Sequence, residues 1–550
     1  MPVEPERAEH QAVPVRHDPV PELGPPPDVL HVVVVEGIPV DYGGRTASIL
    51  ARCRSLAETG GVESVVMVRN HSTNLLSAIA NMERRGHLVP GVRVLAVTDA
   101  FPDPTAPGPP DPRTLEPVDG LEDEGWSSVG RGPDEVCRYE QGRLVARRRY
   151  REEQLVLEDR LDAVGERCRR EEFAPDGRLV RTIFGDDRPG RRQQHVALRR
   201  NGQPMFARVF TRSDAPRGWP TELGTTIFDE QGRPTSVHGG FEEVLHQALD
   251  AVIGGRRAVV VVEARALDRE MAGYRRPHVD TCFVVHSSHL EPPGEDLRAL
   301  RPGFGRLLRE LGQHSPVVFL TERQRAEAEA TVGENPLFRV IPHAGPAPQG
   351  RSRDDDRDPD LVVMMGRLVD VKRTSHGIKA FARVLEERPQ ARLEIYGDGP
   401  NRAGLMRLIS RLGVQDSVRL AGFTTDPGAV FRRASLCLLT SKYEGAPMML
   451  VEAMTHGCPA IAYDVRYGPS DMIEDGVNGY VVAPGDIVAL AEATLRVLQD
   501  PQLAARLREG CTTVQERFGQ DAFVARWFGL FHELADGSPP TKEKTSDESA

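Results

Sequence analysis

The stretch that decides the fold runs from Thr440 to Val482 and reads TSKYEGAPMMLVEAMTHGCPAIAYDVRYGPSDMIEDGVNGYVV. It follows the apolar run Ala434–Leu439, which has the composition of a buried parallel strand, and strong helix formers occupy Met448–Thr455. Pro447, near the first helical position, and Gly457, just past the end, are ordinary start and stop signals of a helix. The stretch therefore predicts a ligand-binding turn between a strand and a helix.

The start of this predicted helix suits an anion. The backbone N–H groups of Met448, Met449 and Leu450 lack partners within the helix, and partial positive charge collects there, which favours a phosphate. Glu444 in the loop and Glu452 in the helix have seven residues between them. Carboxylates that touched a phosphate would repel it, so they are better placed to accept hydrogen bonds from hydroxyls on either side of the phosphates. A nucleotide sugar has such hydroxyls; the alternative is a pair of solvated carboxylates.

Composition restricts the functional classes. The 550 residues exceed what one hydrophobic core serves, so about two to four domains are expected. The net charge of −11 argues against a chain devoted to binding nucleic acid. The absence of a long apolar segment or a signal peptide predicts a cytoplasmic protein. The seven cysteines show no metal-ligand spacing, and we interpret them as reduced thiols.

The N-terminal half begins as a doubly wound parallel sheet. Leu30–Val35 is a buried-strand run, and the glycine-rich connection that contains Gly43 and Gly44 leads into a helical pattern. The parallel-sheet pattern resumes at Ala258–Val262. A later strand ends in His286-Ser-Ser-His289, and a histidine that follows a parallel strand points into the cleft of such a sheet.

Between these parts, residues 136–239 show short β-prone pieces separated by polar-glycine pairs, which are hairpin markers. We interpret this segment as an inserted antiparallel β-meander, preceded by a linker or loop at 101–133. The insertion is rich in arginine. Its arginines form either a solvated sheet face or an electropositive surface for a polyanion. The arginines concerned are Arg147, Arg148, Arg149, Arg151, Arg191, Arg192, Arg199 and Arg200.

A second parallel-sheet domain follows a charged spacer whose Asp354-Asp355-Asp356 run we interpret as solvated. Its first strand ends at Gly366-Arg367-Leu368, with Lys372 just beyond. The planar fork of an arginine beside the point charge of a lysine suits a diphosphate. The predicted division is a disordered tail at 1–27, a first domain at 28–135 and 240–350, the insertion at 136–239, a second domain at 351–520, a helix at 521–536 and a disordered tail at 537–550.

The motif around the two glutamates carries a family resemblance. The Glu-x7-Glu pair within YEGAP and EAMTHGCPAIAYD resembles the retaining GT-B glycosyltransferases that are similar to glycosyltransferase family 4. The tail VRYGPSDMIEDGVNGYVV narrows the resemblance to the poly(glycerol or ribitol phosphate) α-glycosyltransferases of wall teichoic acid and the glycosyltransferases of serine-rich adhesins. The resemblance implies an α/β fold of two Rossmann-like domains that face a cleft, with the β-meander inserted in the first domain and the last helix returning to it.

The resemblance also implies roles for individual residues. Arg367 and Lys372 would hold the β-phosphate, Glu444 the hydroxyls of the donor sugar, and Glu452 the ribose. His286, or else His289, would lie beside the donor sugar. The remaining binding positions implied are the glycine loop at the cleft, the seat of the nucleotide base, and the turn and helix start: Gly43, Gly44, Gly422, Phe423, Gly445, Ala446, Pro447, Met448, Met449 and Leu450. No metal and no cofactor is implied.

The function expected is metal-independent, retaining transfer of a hexose, either glucose or N-acetylglucosamine, from a uridine-diphosphate sugar to a hydroxyl. The acceptor expected is a polyol-phosphate polymer; a serine-rich protein is the alternative. A non-catalytic GT-B companion subunit should lack some of the four charged residues at the cleft, all of which are present, and an epimerase matches the motif less well. Nucleic acid is not expected as a partner, peripheral membrane proximity is left open, and the edges of the β-meander offer a surface for self-association.

Overall fold

The computed structural model describes residues 24–536 apart from positions 25, 27, 41, 43, 71–73, 102–126, 133, 152, 187, 189, 212–219, 292–298 and 348–356. The predicted tail at 537–550 and nearly all of that at 1–27 lie outside the described residues, as do Gly43 and the Asp354-Asp355-Asp356 run.

A parallel sheet of seven strands forms the first domain. Valine-rich strands that are buried on both faces account for it, because only a sheet covered on both sides shows such uninterrupted apolar runs. Two separate segments of the chain contribute its strands. The first segment contributes β1 (Leu30–Val35), β2 (Ser64–Val68) and β3 (Val92–Ala96).

An antiparallel sheet of ten strands, paired in consecutive order, is inserted in the sequence between these two segments. Four of the predicted polar-glycine turns join its strands, and Gly142, Gly177, Gly202 and Gly232 all have positive φ there. The sheet begins at Ser127, so the last part of the segment expected as a linker is a strand. The strands are β4 (Ser127–Gly132), β5 (Glu135–Glu140), β6 (Arg143–Arg151), β7 (Gln154–Leu161), β8 (Arg167–Phe173), β9 (Leu179–Phe184), β10 (Arg192–Leu198), β11 (Pro204–Thr211), β12 (Thr221–Phe228) and β13 (Pro234–His238).

The second segment of the first domain adds β14 (Ala258–Val262), β15 (Val279–Val284), β16 (Val317–Phe319) and β17 (Phe338–Val340). The strand order of the completed sheet is β17-β16-β15-β14-β1-β2-β3. Since β14 lies beside β1, residues that follow β1, β14 and β15 meet along one carboxyl edge of the sheet. That edge forms one side of the cleft.

The second domain has its own parallel sheet in the order β20-β19-β18-β21-β22-β23. Its strands are β18 (Asp358–Met365), β19 (Arg392–Tyr396), β20 (Val418–Gly422), β21 (Ala434–Leu439), β22 (Ala460–Tyr463) and β23 (Gly479–Val482). Apolar cores cover both of its faces. Two doubly wound parallel sheets and an inserted antiparallel meander confirm the predicted architecture.

The described helices connect the strands of these sheets or follow the last strand. They are α1 (Gly44–Gly60), α2 (Leu75–Arg84), α3 (Glu242–Ile253), α4 (Asp268–Met271), α5 (Phe304–Arg309), α6 (Glu322–Val332), α7 (Thr374–Glu387), α8 (Arg402–Leu412), α9 (Pro427–Arg433), α10 (Met448–Thr455), α11 (Pro469–Met472), α12 (Ile487–Gln499), α13 (Pro501–Gly510), α14 (Thr513–Phe518) and α15 (Gln520–Asp536). Within the described residues, no helix combines the length and the apolar character needed to cross a membrane.

The last helix, α15, crosses back to the first domain. Its side chains Phe523, Trp527 and Phe531 are buried in one cluster with Val259 and Val261 of β14. Burying this aromatic stripe removes a large apolar area from water, which holds the helix on the first sheet although the chain before it belongs to the second domain.

Candidate functional site

One wall of the cleft is built at the carboxyl ends of β18 and β21. Lys372 lies in a short turn after β18, and Glu444 lies in the loop after β21. The Nζ atom of Lys372 donates to Oε1 of Glu444 at 2.7 Å, and the Ser441 hydroxyl donates to the same oxygen. Oε2 of Glu444 has no hydrogen bond to any residue that the structure describes, so it is free to accept one from a ligand hydroxyl.

Arg367 occupies the rim of this wall. Its side chain is exposed, and no described carboxylate pairs with it. The turn that carries it packs against the turn after β19, where a Cβ on Gly397 would stand 2.0 Å from the carbonyl oxygen of Gly366. A side chain at Gly397 would therefore displace the backbone of Gly366, directly before Arg367, one of the two cations expected to hold phosphate.

The helix start corrects one expectation. The N–H of Met448 donates to the carbonyl of Ala446 at 2.9 Å, and that of Leu450 donates to the carbonyl of Pro447 at 2.8 Å. Two of the three N–H groups predicted to be free are thus engaged by the turn itself. Of the three, only the Met449 N–H lacks a described backbone acceptor, so the start of α10 offers an anion fewer free donors than the sequence predicted.

Glu452 and the expected binding position of the nucleotide base, Gly422-Phe423, belong to the same domain as Lys372 and Glu444. Burial first, and the nearby carboxylate of Asp426 second, raise the pKa of Glu452. Gly422 ends β20 with φ 83°, and Phe423 beside it is 78% exposed. An aromatic ring left in water at the end of a strand is a natural stacking surface, which fits the predicted position of a nucleotide base.

His286 stands on the opposite wall, after β15, and it is held by a charge that sequence reasoning missed. Nε2 of His286 forms a hydrogen bond with Glu263, which follows the neighbouring strand β14, and Glu263 also pairs with Arg52 of α1. Burial alone would raise the pKa of Glu263, but the charges of Arg52 and His286 hold it well below its ordinary value. The signal available in the sequence was a carboxylate directly after the apolar run of β14.

His289 has a different environment from His286. It is fully buried, and its ring stacks on Tyr467 of the second domain with a centroid distance of 5.8 Å. The Tyr467 hydroxyl donates to Glu327 at 2.7 Å, which leaves its oxygen as the acceptor for Nδ1 of His289 at 3.4 Å. Burial lowers the pKa of His289 to about 4. His289 thus packs between the domains, whereas His286 faces the cleft.

The two walls touch at the turn that carries Glu444. A Cβ on Gly445 would lie 2.2 Å from the carbonyl oxygen of His286, so the two backbones are in direct contact. Close to the same point, Arg466 of the second domain donates a hydrogen bond of 2.6 Å to Glu327 of the first domain. Of the expected glycine loop, Gly44 begins α1 and its α-carbon faces open space.

The chain is similar to several known proteins. Residues 350–512 match the family described as Glycosyl transferases group 1. The chain is 38% identical over 238 residues to an exopolysaccharide phosphotransferase of Streptomyces coelicolor, a match that spans 43% of this chain and 25% of that protein. It is 22% identical over 541 residues to the poly(glycerol-phosphate) alpha-glucosyltransferase of Bacillus subtilis, spanning 93% of this chain and 76% of that protein.

Among solved structures, TarM superimposes with a TM-score of 0.75 at 18% identity, over 92% of this chain and 98% of that chain. A mutant of Staphylococcus aureus TarM in complex with fondaparinux, alpha-GlcNAc-glycerol and UDP gives a TM-score of 0.73 at 17% identity, over 92% of this chain and 100% of that chain. The fold is GT-B, and the predicted resemblance to the teichoic-acid branch of these proteins is confirmed.

Replacing Glu263 by Gln should destabilise the first domain. The substitution leaves the buried Arg52 without its counter-ion, which costs about 3–5 kcal/mol in comparable buried pairs. Chemical denaturation followed by tryptophan fluorescence would measure the loss, since Arg52 lies 4.7 Å from the ring centroid of Trp527. The double variant Glu263→Gln with Arg52→Met should recover part of the stability; equal stability of Glu263→Gln and wild type would contradict this account.

Acidification should weaken the folded state through His289. The pKa is about 6.5 in an unfolded chain, and burial lowers it to about 4 in the folded protein. As pH falls through this interval, the unfolded chain takes up a proton that the folded chain refuses, so the contribution present above pH 6.5 is lost. The variant His289→Phe, which keeps the stacked ring, should show a smaller decrease in the free energy of unfolding between pH 7.5 and 4.5 than wild type. An identical decrease would show that His289 does not contribute.

Proposed function

We propose that this chain is a metal-independent glycosyltransferase that moves a hexose, glucose or N-acetylglucosamine, from a uridine-diphosphate sugar to a hydroxyl of a polyol-phosphate polymer, with retention at the anomeric carbon. The observation that carries the proposal is the contact between Lys372 and Glu444 at 2.7 Å, on the wall opposite His286. The bond that breaks joins the sugar to the β-phosphate. A cation for that phosphate and a carboxylate for the sugar hydroxyls must therefore lie within a few ångströms of each other.

The charged residues of the cleft are suited to bind and activate such a donor. Departure of the diphosphate leaves negative charge, which the enzyme must stabilise more strongly in the transition state than in the ground state. Lys372 and Arg367 would supply positive charge, and the Met449 N–H would add a hydrogen bond. Because these groups are cationic side chains and backbone, charge stabilisation would need no metal ion.

Retention is proposed to come from attack on the same face of the sugar. The acceptor oxygen forms its bond to the anomeric carbon as the bond to the diphosphate oxygen breaks, and the acceptor proton passes to that departing oxygen. His286 would steady the sugar from the first domain, with its ring oriented by the hydrogen bond to Glu263. Contact between the domains would keep water from the donor.

The comparisons support this reaction class. The Bacillus subtilis relative is named for glucosyl transfer to poly(glycerol phosphate), and it aligns with nearly the whole of this chain. The TarM complex contains UDP together with a GlcNAc-glycerol conjugate. Both sugars therefore remain in the proposal. The Streptomyces relative carries less weight for function, because the match covers only a quarter of its length.

Direct assay tests the proposal. Uridine-diphosphate sugars would be offered with poly(glycerol phosphate), poly(ribitol phosphate) or serine-rich peptides, each with and without a chelator, and products identified by mass spectrometry and by NMR of the anomeric linkage. Transfer of an α-linked hexose to a polymer, unaffected by chelation, is expected. Transfer to peptides alone would move the acceptor to protein, activity restored only by a divalent ion would reject the metal-free reaction, and binding without any transfer would favour a companion subunit.

Lys372→Ala should reduce kcat by at least about 10²-fold, because it removes a cation aimed at developing phosphate charge. Circular dichroism should be unchanged, since the pair with Glu444 is partly exposed to water. Arg383→Ala, an exposed position on α7, is the matched control and should keep full activity. A Lys372→Ala enzyme as active as Arg383→Ala would remove Lys372 from the donor site.

A further inference from the structure

A second concave site lies beside the cleft on the second domain. It is a groove of about 580 Å³ between the start of α7 and the exposed face of α8, closed on one side by Lys442. Lys442 is two residues from Glu444, and its N–H donates to the carbonyl of Val371 at 2.7 Å. The turn that contains Lys372 therefore separates the groove from the cleft, and the two share this wall.

The groove is strongly basic. Five cationic side chains line it, namely Arg373, Lys379, Arg407, Arg411 and Lys442. None of the five pairs with a carboxylate in the part of the chain that the structure describes. Asp370 is the one carboxylate among the lining residues, and its Oδ1 already accepts a hydrogen bond from Asn401 at 2.7 Å. Many other arginines of the described chain form ion pairs with carboxylates, for example Arg276 with Asp250 and Arg388 with Asp360. A cluster of unpaired cations in a concavity therefore points to an anionic ligand.

The backbone adds to this charge. α7 starts after Arg373, which is in the left-handed conformation at φ 44° and provides no side-chain cap. His376, in the first turn, donates its N–H to the Arg373 carbonyl at 2.8 Å, whereas Thr374 and Ser375 have no described backbone acceptor. Burial, and then the neighbouring cations, lower the pKa of His376, which is a second sign of positive potential in the groove.

We propose that this groove binds phosphate groups of the acceptor polymer, at units away from the hydroxyl that receives the sugar. The inference rests on the proposed function and names where the polyanion is held. The alternative surface, the arginine-rich insertion, is less suited: Arg148 is buried against Glu158, Arg199 donates to the Phe228 carbonyl, and Arg147 stands on an open sheet face. A groove of concave shape also fits a chain of phosphates better than a flat anionic membrane.

The test uses the full chain with Arg407→Gln and Arg411→Gln combined, both exposed on α8 and outside the cleft. The control is Arg84→Gln with Arg506→Gln, which removes the same charge from exposed helix positions elsewhere. Binding of labelled poly(glycerol phosphate) and of short-chain inorganic polyphosphate would be measured by fluorescence anisotropy, alongside sedimentation with anionic and zwitterionic vesicles. Transfer rates to the polymer and to a single glycerol phosphate unit would be compared.

Loss of two phosphate contacts should weaken polymer and polyphosphate binding by about tenfold, and lower kcat/KM for the polymer similarly, with transfer to the single unit unchanged. The control should bind as wild type does. Equal binding by both variants would overturn the proposal, and loss confined to vesicles would replace it with a membrane surface. Polyphosphate binding that depends on Arg407 and Arg411 in a chain that transfers no sugar would reject the proposed function while leaving the groove an anion site.

Discussion

The backbone contact between Gly445 and the carbonyl of His286 sets how the two halves of the cleft face each other. It joins the turn that carries Glu444 to the strand end that carries His286, with no side chain between them. The contact is reinforced where Arg466 and Tyr467 reach Glu327. Each domain alone would present only half of a binding site. Bringing the carboxyl edges of two parallel sheets together places cations from one domain opposite a histidine from the other.

Charges in this protein divide into paired and unpaired groups, and the division is informative. Arg52 and Glu263 form a buried pair of opposite charges, and Glu263 also bonds to His286, so this pair is suited to orient His286 rather than to bind a ligand itself. Lys372 and Glu444 are paired but partly exposed to water, and such a pair can exchange partners when a ligand binds. Arg367 and the cations of the basic groove form no ion pair with a described carboxylate, which is consistent with the proposal that they hold phosphate groups of ligands.

Two neighbouring histidines illustrate what burial does to chemistry. His286 and His289 are three positions apart, and the family resemblance ranked His286 first and His289 second for the place beside the donor sugar. His286 lies at the cleft with a carboxylate behind it, whereas His289 is enclosed between Tyr467 and the first domain. A neutral, enclosed ring contributes to the contact between domains and loses that contribution when protonated. The same residue type therefore serves positioning in one place and packing in the other.

The sequence by itself determined the two parallel sheets, the inserted meander and the turns after β18 and β21 that carry Lys372 and Glu444. These features have local signals in the sequence, namely uninterrupted valine runs, polar-glycine turns and the spacing of Glu444 and Glu452. Local signals can be recognised without knowledge of the fold. What only the tertiary structure decided are relations between distant segments: Glu263 behind His286, the engagement of the Met448 and Leu450 N–H groups, and the convergence of α7, α8 and Lys442 into one basic groove. Such relations depend on the strand order of each sheet and on the contact between the two domains. The residue pattern of a single segment specifies neither.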